Sequence, residues 1–326
     1  MINWFNIAEY EPKFRASTFF IGGRGIGKTF SAFSYLYQKQ PFIYVRNTDV
    51  QLSECCTDFG NPFKKWNKVC GHCIKMKKEQ KHAVILDGEG PEEKVIGYGA
   101  ALSNIGGIRG VDLSDVRVGL LDEFIEKKSL QYDQGAYYDD FYETVNRNRE
   151  LEGEPPFICI LLSNAQKLDN SILARKDLII PIEGMLKSGQ KTWSRSDSFI
   201  CLPDSEVSEL KKGTQFYTGI KGSKTYEEAL NNKFANDSFY AIAKRPLKEY
   251  VGVCMIDDIY IYKHKSNGKY YACSTQCINI PTFTSKDNFS LFYRSYGKLF
   301  DVMASCGQLE CSDFTTKTRL YEILRI

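Results

Sequence analysis

The stretch FFIGGRGIGKTFSAF, residues 19–33, constrains the fold more than any other feature of this 326-residue chain. Gly22, four residues, and then Gly27, Lys28 and Thr29 make the G-x-x-x-x-G-K-[ST] spacing of a loop that wraps a triphosphate. In such a loop Gly22, Gly23, Gly25, Ile26 and Gly27 turn their backbone N–H groups inward, at dihedral angles that favour glycine. Lys28 reaches the β- and γ-phosphates, Thr29 offers its hydroxyl to Mg²⁺, and the helix that starts near Lys28 adds its positive end. An ordinary glycine-rich turn does not need a buried strand before it and a helix after it. Here STFFIG reads as the strand and KTFSAFSYLYQ as the helix.

The rest of the chain extends that unit. Apolar runs STFFIG, PFIYVRN, HAVILDG, RVGLLDEF and PFICILLSNA alternate with helical stretches over residues 1–196, the pattern of an α/β domain with a mainly parallel sheet. Residues 197–225 are polar and punctuated by glycine, and read as a linker or lid. From 226 to 326 a short helical segment precedes EYVGVCMID, DIYIYKHKSNGKYYACS and a helical tail, a smaller α+β domain built on hairpins, with Ser266-Asn267-Gly268 marking one turn.

VRVGLLDEFIEKK, residues 116–128, delivers Asp122 and Glu123 at the carboxyl end of a strand, where α/β sheets place their ligands. Asp122 suits the water shell of Mg²⁺, and Glu123 suits activation of an attacking water. A nucleoside kinase has no need of that second carboxylate, because its acceptor brings a hydroxyl. FICILLSNA ends in Ser163 and Asn164, which serve equally well as γ-phosphate sensors or as a helix cap. DGEG at 87–90 imitates a GTPase switch, but NKFA at 232–235 lacks the carboxylate that reads guanine, so Asp87 is expected in a hairpin turn. In YETVNRNRELEG, residues 142–153, Arg147 and Arg149 stand at i and i+2 and cannot share a helix face. One of them is free to reach a neighbouring subunit's nucleotide in a ring or filament, while the other pairs locally.

Charge leaves the partner open: 43 Lys and Arg against 40 Asp and Glu give a formal net charge of +3. No apolar run approaches the roughly 20 residues of a membrane helix, and the first residues lack the plan of a signal peptide, so a soluble, cytosolic protein is expected. Eleven cysteines then imply reduced thiols. Cys55, Cys56, Cys70, His72 and Cys73 contain enough ligands for a tetrahedral zinc, although no second spaced pair supports it.

GGRGIGKT, FIYVRN, LLDEFI, NRNRE and LLSNA, in that order, resemble the DNA encapsidation ATPases of small tailed phages with protein-primed genomes, which are distant relatives of terminase large subunits. The likeness is specific over residues 18–170 and weaker beyond. It implies an additional-strand ATPase domain using ATP and Mg²⁺, with Arg24 and Arg46 as phosphate-side sensors and Arg147 as an arginine finger acting in trans. It also implies a homomeric ring, a pentamer, that docks on the portal of an empty capsid in the host cytoplasm and pushes double-stranded DNA inward, with an RNA adaptor left open. Two positions depart from the family pattern: Asp49, where relatives carry a basic residue, and Glu126, where they carry arginine.

Packaging terminases often add a ribonuclease-H-like nuclease, whose two metal ions need carboxylates gathered from neighbouring strands. EYVGVCMIDD has Val251, Gly252, Val253 and Cys254 at its centre and puts Asp257 and Asp258 in the turn, which favours such a fold without catalysis. For DNA contact the candidates are Lys127 and Lys128, directly after the carboxylate pair, and residues 61–81, with seven lysines and one acid around Trp66. A lysine run of that kind is also the ordinary make-up of a solvated face. The rival readings are a replication or partition ATPase with the same hydrolytic residues, and a nucleotide-timed assembly protein.

Overall fold

The structure, a computed structural model, describes residues 4–108, 110–126, 130, 132–164, 168, 170–203, 206–221 and 241–324. The chain divides into two compact units, residues 1–167 with 180–235, and residues 168–179 with 236–326.

The first unit is built on a nine-stranded sheet. Its strands are β1 (Ser17–Gly22), β2 (Phe42–Arg46), β3 (Lys75–Glu79), β4 (His82–Asp87), β5 (Lys94–Ala101), β6 (Val118–Asp122), β7 (Ile158–Asn164), β8 (Thr192–Ser194) and β9 (Ser198–Cys201). They lie in the order β3-β4-β5-β2-β6-β7-β1-β9-β8. The run from β5 to β9 is parallel, while β3, β4 and β8 pair antiparallel at the two edges. β1 is buried along its whole length, as a central parallel strand covered on both faces must be. Phe19, Phe20 and Ile21 are fully buried there, each contributing about 1.5–3 kcal/mol.

The insertion of β7 between β6 and β1 matters most for the site. It brings the carboxyl ends of three strands side by side, with Gly22 level with Asn164 and Asp122 level with Leu162. Helix α1 (Lys28–Tyr37) follows the loop after β1. Helix α2 (Asp49–Cys55) starts on a capping box in which the Thr48 side chain accepts from the Gln51 backbone N–H and the Gln51 side chain accepts from that of Thr48. Helix α3 (Lys64–Cys70) precedes the lysine-rich edge strand β3. Helix α4 (Gln134–Asn146) is capped by Asp133 and buries Tyr138, Phe141 and Val145, spaced by three and four residues. Tyr138 also meets Ser17 of β1, its hydroxyl 2.8 Å from the serine hydroxyl.

Two expectations change here. Ser198–Cys201, read as the start of a linker, is a fully buried strand paired with β1. HAVILDG is a strand, but it runs antiparallel to both neighbours, and Asp87 ends it as a buried acceptor of the Tyr37 hydroxyl (2.9 Å) and the Cys73 N–H (3.2 Å).

The second unit carries a five-stranded sheet in the order β13-β10-β11-β12-β14. β10 (Tyr250–Ile256), β11 (Ile259–His264) and β12 (Tyr270–Cys273) form an antiparallel meander, while β13 (Thr282–Phe283) and β14 (Leu309–Cys311) add in parallel at its edges. Asp257 and Asp258 make the two-residue turn between β10 and β11, and Asp257 takes the positive φ of 52° that such turns favour. Helices Lys298–Ser305 and Phe314–Leu324 cover one face, where Ile256, Ile261, Phe292, Phe300 and Leu320 form the core.

Candidate nucleotide site

The loop expected to hold phosphate folds as its spacing requires. Gly25 (φ 71°) and Gly27 (φ 100°) are left-handed, and Ile26 anchors the loop by being almost fully buried and accepting the Phe5 N–H. Gly22 and Gly23 are buried beneath it and Arg24 is exposed. Lys28 is buried, and its ammonium donates to the carbonyls of Gly22 (3.0 Å) and Gly23 (2.7 Å) and to the Asn164 side-chain oxygen (3.3 Å). Burial pulls its pKa down to about 8, against the pull of Asp122. A buried cation curled onto carbonyls of its own loop fits a cradle whose natural occupant is a polyphosphate.

Asp122 and Glu123 meet this loop from β6. Thr29 donates to Asp122 Oδ1 at 3.4 Å, so the hydroxyl and carboxylate are spaced to share one cation, which fits Mg²⁺. Burial raises the Asp122 pKa, with Arg46 opposing. Glu123 is exposed and adopts φ 55°, unusual for a side-chain-bearing residue, just past the strand end. Its carboxylate accepts from Arg46 Nη2 at 2.9 Å, and Arg46 Nη1 stands 3.7 Å from Asp122. Burial works against the Arg46 charge, but Tyr44, Asp122 and Glu123 outweigh it and hold the guanidinium protonated.

Three side chains that sequence reasoning missed fix the segment after Asp122. Asn47, fully buried beyond β2, donates to the Glu123 carbonyl (2.9 Å) and to Glu126 (2.8 Å). Gln51 also donates to Glu126 (2.7 Å), and Gln134 donates to Asn47 Oδ1 and the Phe124 carbonyl, both at 2.6 Å. Thus Glu126 is held by two amides, while Asp49 pairs with Lys78. The only sequence signal for this network was the Thr48–Gln51 capping box.

The two arginines separate as the i, i+2 spacing suggests. Arg149 is buried, and its Nη2 donates to the carbonyls of Leu113 and Ser114, both at 2.9 Å. Arg147 ends α4 at φ 47° and ψ −132°, with an exposed side chain whose Nη2 donates to the Val111 carbonyl (3.0 Å). Lys127 and Lys128 lie outside the described residues, as does NKFA.

The zinc candidates do not gather, and among the described residues no three His, Cys, Asp or Glu side chains are placed to hold a metal ion. Cys55 is buried in α2, the His72 ring stacks on Trp66, and Cys73 donates to Glu89. In residues 61–81 Trp66 is buried with its indole donating to Ser34, Lys75, Lys77 and Lys78 pair with Glu93, Glu79 and Asp49, and Lys64, Lys65, Lys68 and Lys81 are exposed. In the second unit Asp258 pairs with Arg319, and Asp257 accepts the Ser285 N–H.

Comparison with known proteins bears on this arrangement. The DNA packaging proteins of Bacillus phage PZA and Bacillus phage phi29 are each 28% identical to this chain over 240 residues, 71% of this chain and 66% of theirs. The matched region therefore spans just under two thirds of those relatives' length. Among solved structures, the Phi-28 gp11 DNA packaging motor matches with a TM-score of 0.64 and 17% identity, covering 99% of this chain and 98% of that one. The bacteriophage Phi-29 viral genome packaging motor assembly matches at 0.58 and 18%, with the same coverage. At such identities these likenesses show the fold. Residues 3–274 match the model of the podovirus DNA encapsidation protein (Gp16), and the chain belongs to that family.

Proposed function

We propose that this protein hydrolyses ATP to drive double-stranded DNA into a preformed viral capsid. The observation that carries the proposal is the convergence of Lys28, Thr29, Asp122 and Glu123 at neighbouring strand ends, in a chain whose residues 3–274 match the encapsidation family. Lys28 leaves its carbonyls to neutralise the β- and γ-phosphates, a cost offset by stronger charge–charge contacts in a dry pocket. Thr29 and Asp122 are the residues that would hold Mg²⁺, which when bound would supply charge neutralisation at the phosphates. Glu123 orients the attacking water and accepts its proton. Its pairing with Arg46 aims the carboxylate, and Arg46 is the proposed sensor on the phosphate side. Asn164 reports on phosphate through its bond to Lys28.

Hydrolysis in this scheme is completed across a subunit boundary. Arg147 is the trans finger, because it is exposed at the strained end of α4 with only surface partners, the Val111 and Thr144 carbonyls and Asp112, to give up, whereas Arg149 is buried on the carbonyls of Leu113 and Ser114. Such a site calls for a homomeric ring, of which a pentamer on the capsid portal is the expected form. The second unit binds or docks without cutting, since β10 offers no acid at its centre and the two turn aspartates are engaged with Arg319 and the Ser285 N–H. Lys127 and Lys128 remain the proposed DNA contacts.

The test is packaging itself: purified protein, empty capsids with portal, linear DNA and ATP, read as DNA protected from nuclease. Protection that requires ATP and vanishes in Lys28→Ala is expected. ATP hydrolysis without any protected DNA would return the chain to the replication or partition ATPases.

A further inference from the structure

We infer that Lys211, from the segment that follows the sheet, is a second phosphate-binding lysine of the nucleotide site and makes that site selective for a triphosphate over a diphosphate. This rests on the nucleotide site proposed above. Helix α5 (Glu206–Lys212) ends beside the phosphate loop, although it lies more than 170 residues along the chain. The Lys211 ammonium donates to the Arg24 carbonyl at 2.5 Å. A Cβ on Gly25 would come within 2.4 Å of the same nitrogen, so the glycine is what lets the ammonium settle onto the loop.

The placement parallels that of Lys28. Three successive carbonyls of the loop, those of Gly22, Gly23 and Arg24, accept from lysine ammonium groups, the first two from Lys28 and the third from Lys211. Two like charges on one short run of backbone repel each other, and each lowers the other's tendency to stay protonated. Burial first and the Arg24 charge second lower the Lys211 pKa. The arrangement therefore holds more positive charge than Asp122 and Glu123 can balance with Arg46 already on them. A polyanion relieves that excess.

Which phosphate Lys211 takes follows from its neighbour. Lys28 is the group that reaches the β- and γ-phosphates, and Lys211 is parked on the very next carbonyl, at the same end of the loop. Its contact is thus assigned to the γ-phosphate, which ADP lacks. Glu209 does not compete for it, because that carboxylate is bound by Lys212 at 2.6 Å.

Binding of a non-hydrolysable ATP analogue and of ADP to the full chain, with Lys211→Ala, Lys211→Gln and wild type, tests the inference. Loss of one charge-assisted contact should weaken the analogue about tenfold and ADP much less. A second measurement needs no variant: acetylation of Lys211 by acetic anhydride, followed by mass spectrometry with Lys212 as internal reference. The ATP analogue should slow modification of Lys211 relative to Lys212, and ADP should do so less. Wild-type protein that binds neither nucleotide would overturn the site itself. Wild type that binds both, with unchanged selectivity in the two variants or no protection of Lys211, would overturn this inference and leave the site standing.

Discussion

The two sheets of this protein carry similar raw materials and put them to different ends. In the first unit the carboxylates Asp122 and Glu123 follow a buried strand directly and open beside a glycine loop, a buried lysine and Arg46. In the second unit Asp257 and Asp258 also follow a strand, but the chain reverses there into a hairpin, and Arg319 and Ser285 take up the carboxylates. A parallel strand must leave its sheet through a crossover, so its last residues face a crevice that neighbouring strand ends share. A hairpin turn has no such crevice. Connectivity, more than acid content, separates the site from the surface.

The strongest way to break that contrast is to exchange the fates of the two acid pairs. Lys28→Ala should abolish measurable nucleotide binding and turnover, because it removes the buried ammonium proposed to meet the β- and γ-phosphates. Incubating the protein with supercoiled plasmid and Mn²⁺, by contrast, should leave the plasmid intact. Cleavage that disappears in Asp257→Ala or Asp258→Ala would mean that the hairpin acids hold metal after all, and that the contrast is false.

Next in size is the division of labour between the arginines. Arg147→Ala should keep ATP affinity and lower turnover of the assembled ring by about 10³-fold or more. Mixing it with Glu123→Gln subunits should restore part of the activity, since some interfaces then pair an intact Glu123 with an intact Arg147. No recovery at any ratio, despite proven co-assembly, would place Arg147 in cis or outside the reaction. Arg149→Ala should instead destabilise the fold by about 2–3 kcal/mol, as the carbonyls of Leu113 and Ser114 lose a charged donor. Chemical denaturation separates the two outcomes. Asp258→Asn sharpens the comparison from the other side: its exposed pair with Arg319 should be worth at most about 1 kcal/mol.

A pH dependence follows from Lys28. Lys28 has its pKa pulled from the ordinary 10.5 to about 8 without ligand, and a bound polyphosphate favours its protonated form. Below pH 8 it already carries its proton, so ATP affinity should be flat there. Above pH 8 binding must take up a proton, and affinity should fall by up to about tenfold per pH unit. Stability of the ligand-free protein moves the other way. The unfolded chain keeps the Lys28 proton longer, so this residue's contribution rises with pH between about 8 and 10.5. Isothermal titration across pH 7–9.5 reads the first trend, and a Lys28→Met control should remove the second.

The candidate site is legible in the sequence where its residues are consecutive. The glycine loop, Lys28, Thr29 and the Asp122–Glu123 pair each sit within a short run whose spacing is itself the mechanism. Groups brought in from afar left little trace. Lys211 lies in a polar stretch that reads as a linker, and Asn47 and Gln134 are ordinary amides until the fold joins them. β5, with the sequence KVIGYGAA, was also missed, because its residues show neither alternation nor a run of large side chains. Gly97 explains why: a Cβ there would lie 2.4 Å from the Phe42 carbonyl, so close approach to β2 excludes the bulk that marks a strand. The buried fate of Arg149 depends on the carbonyls of Leu113 and Ser114, which no local pattern reveals.

Glu123, placed by β6 and held at a positive φ, is proposed to act in the chemical step alone. The direct measurement compares ATP affinity with steady-state hydrolysis in Glu123→Gln, on capsid and DNA so that the ring is assembled. Affinity within a few-fold of wild type and turnover lower by about 10²-fold to 10⁴-fold are expected. Normal turnover in that variant, with binding intact, would contradict that role.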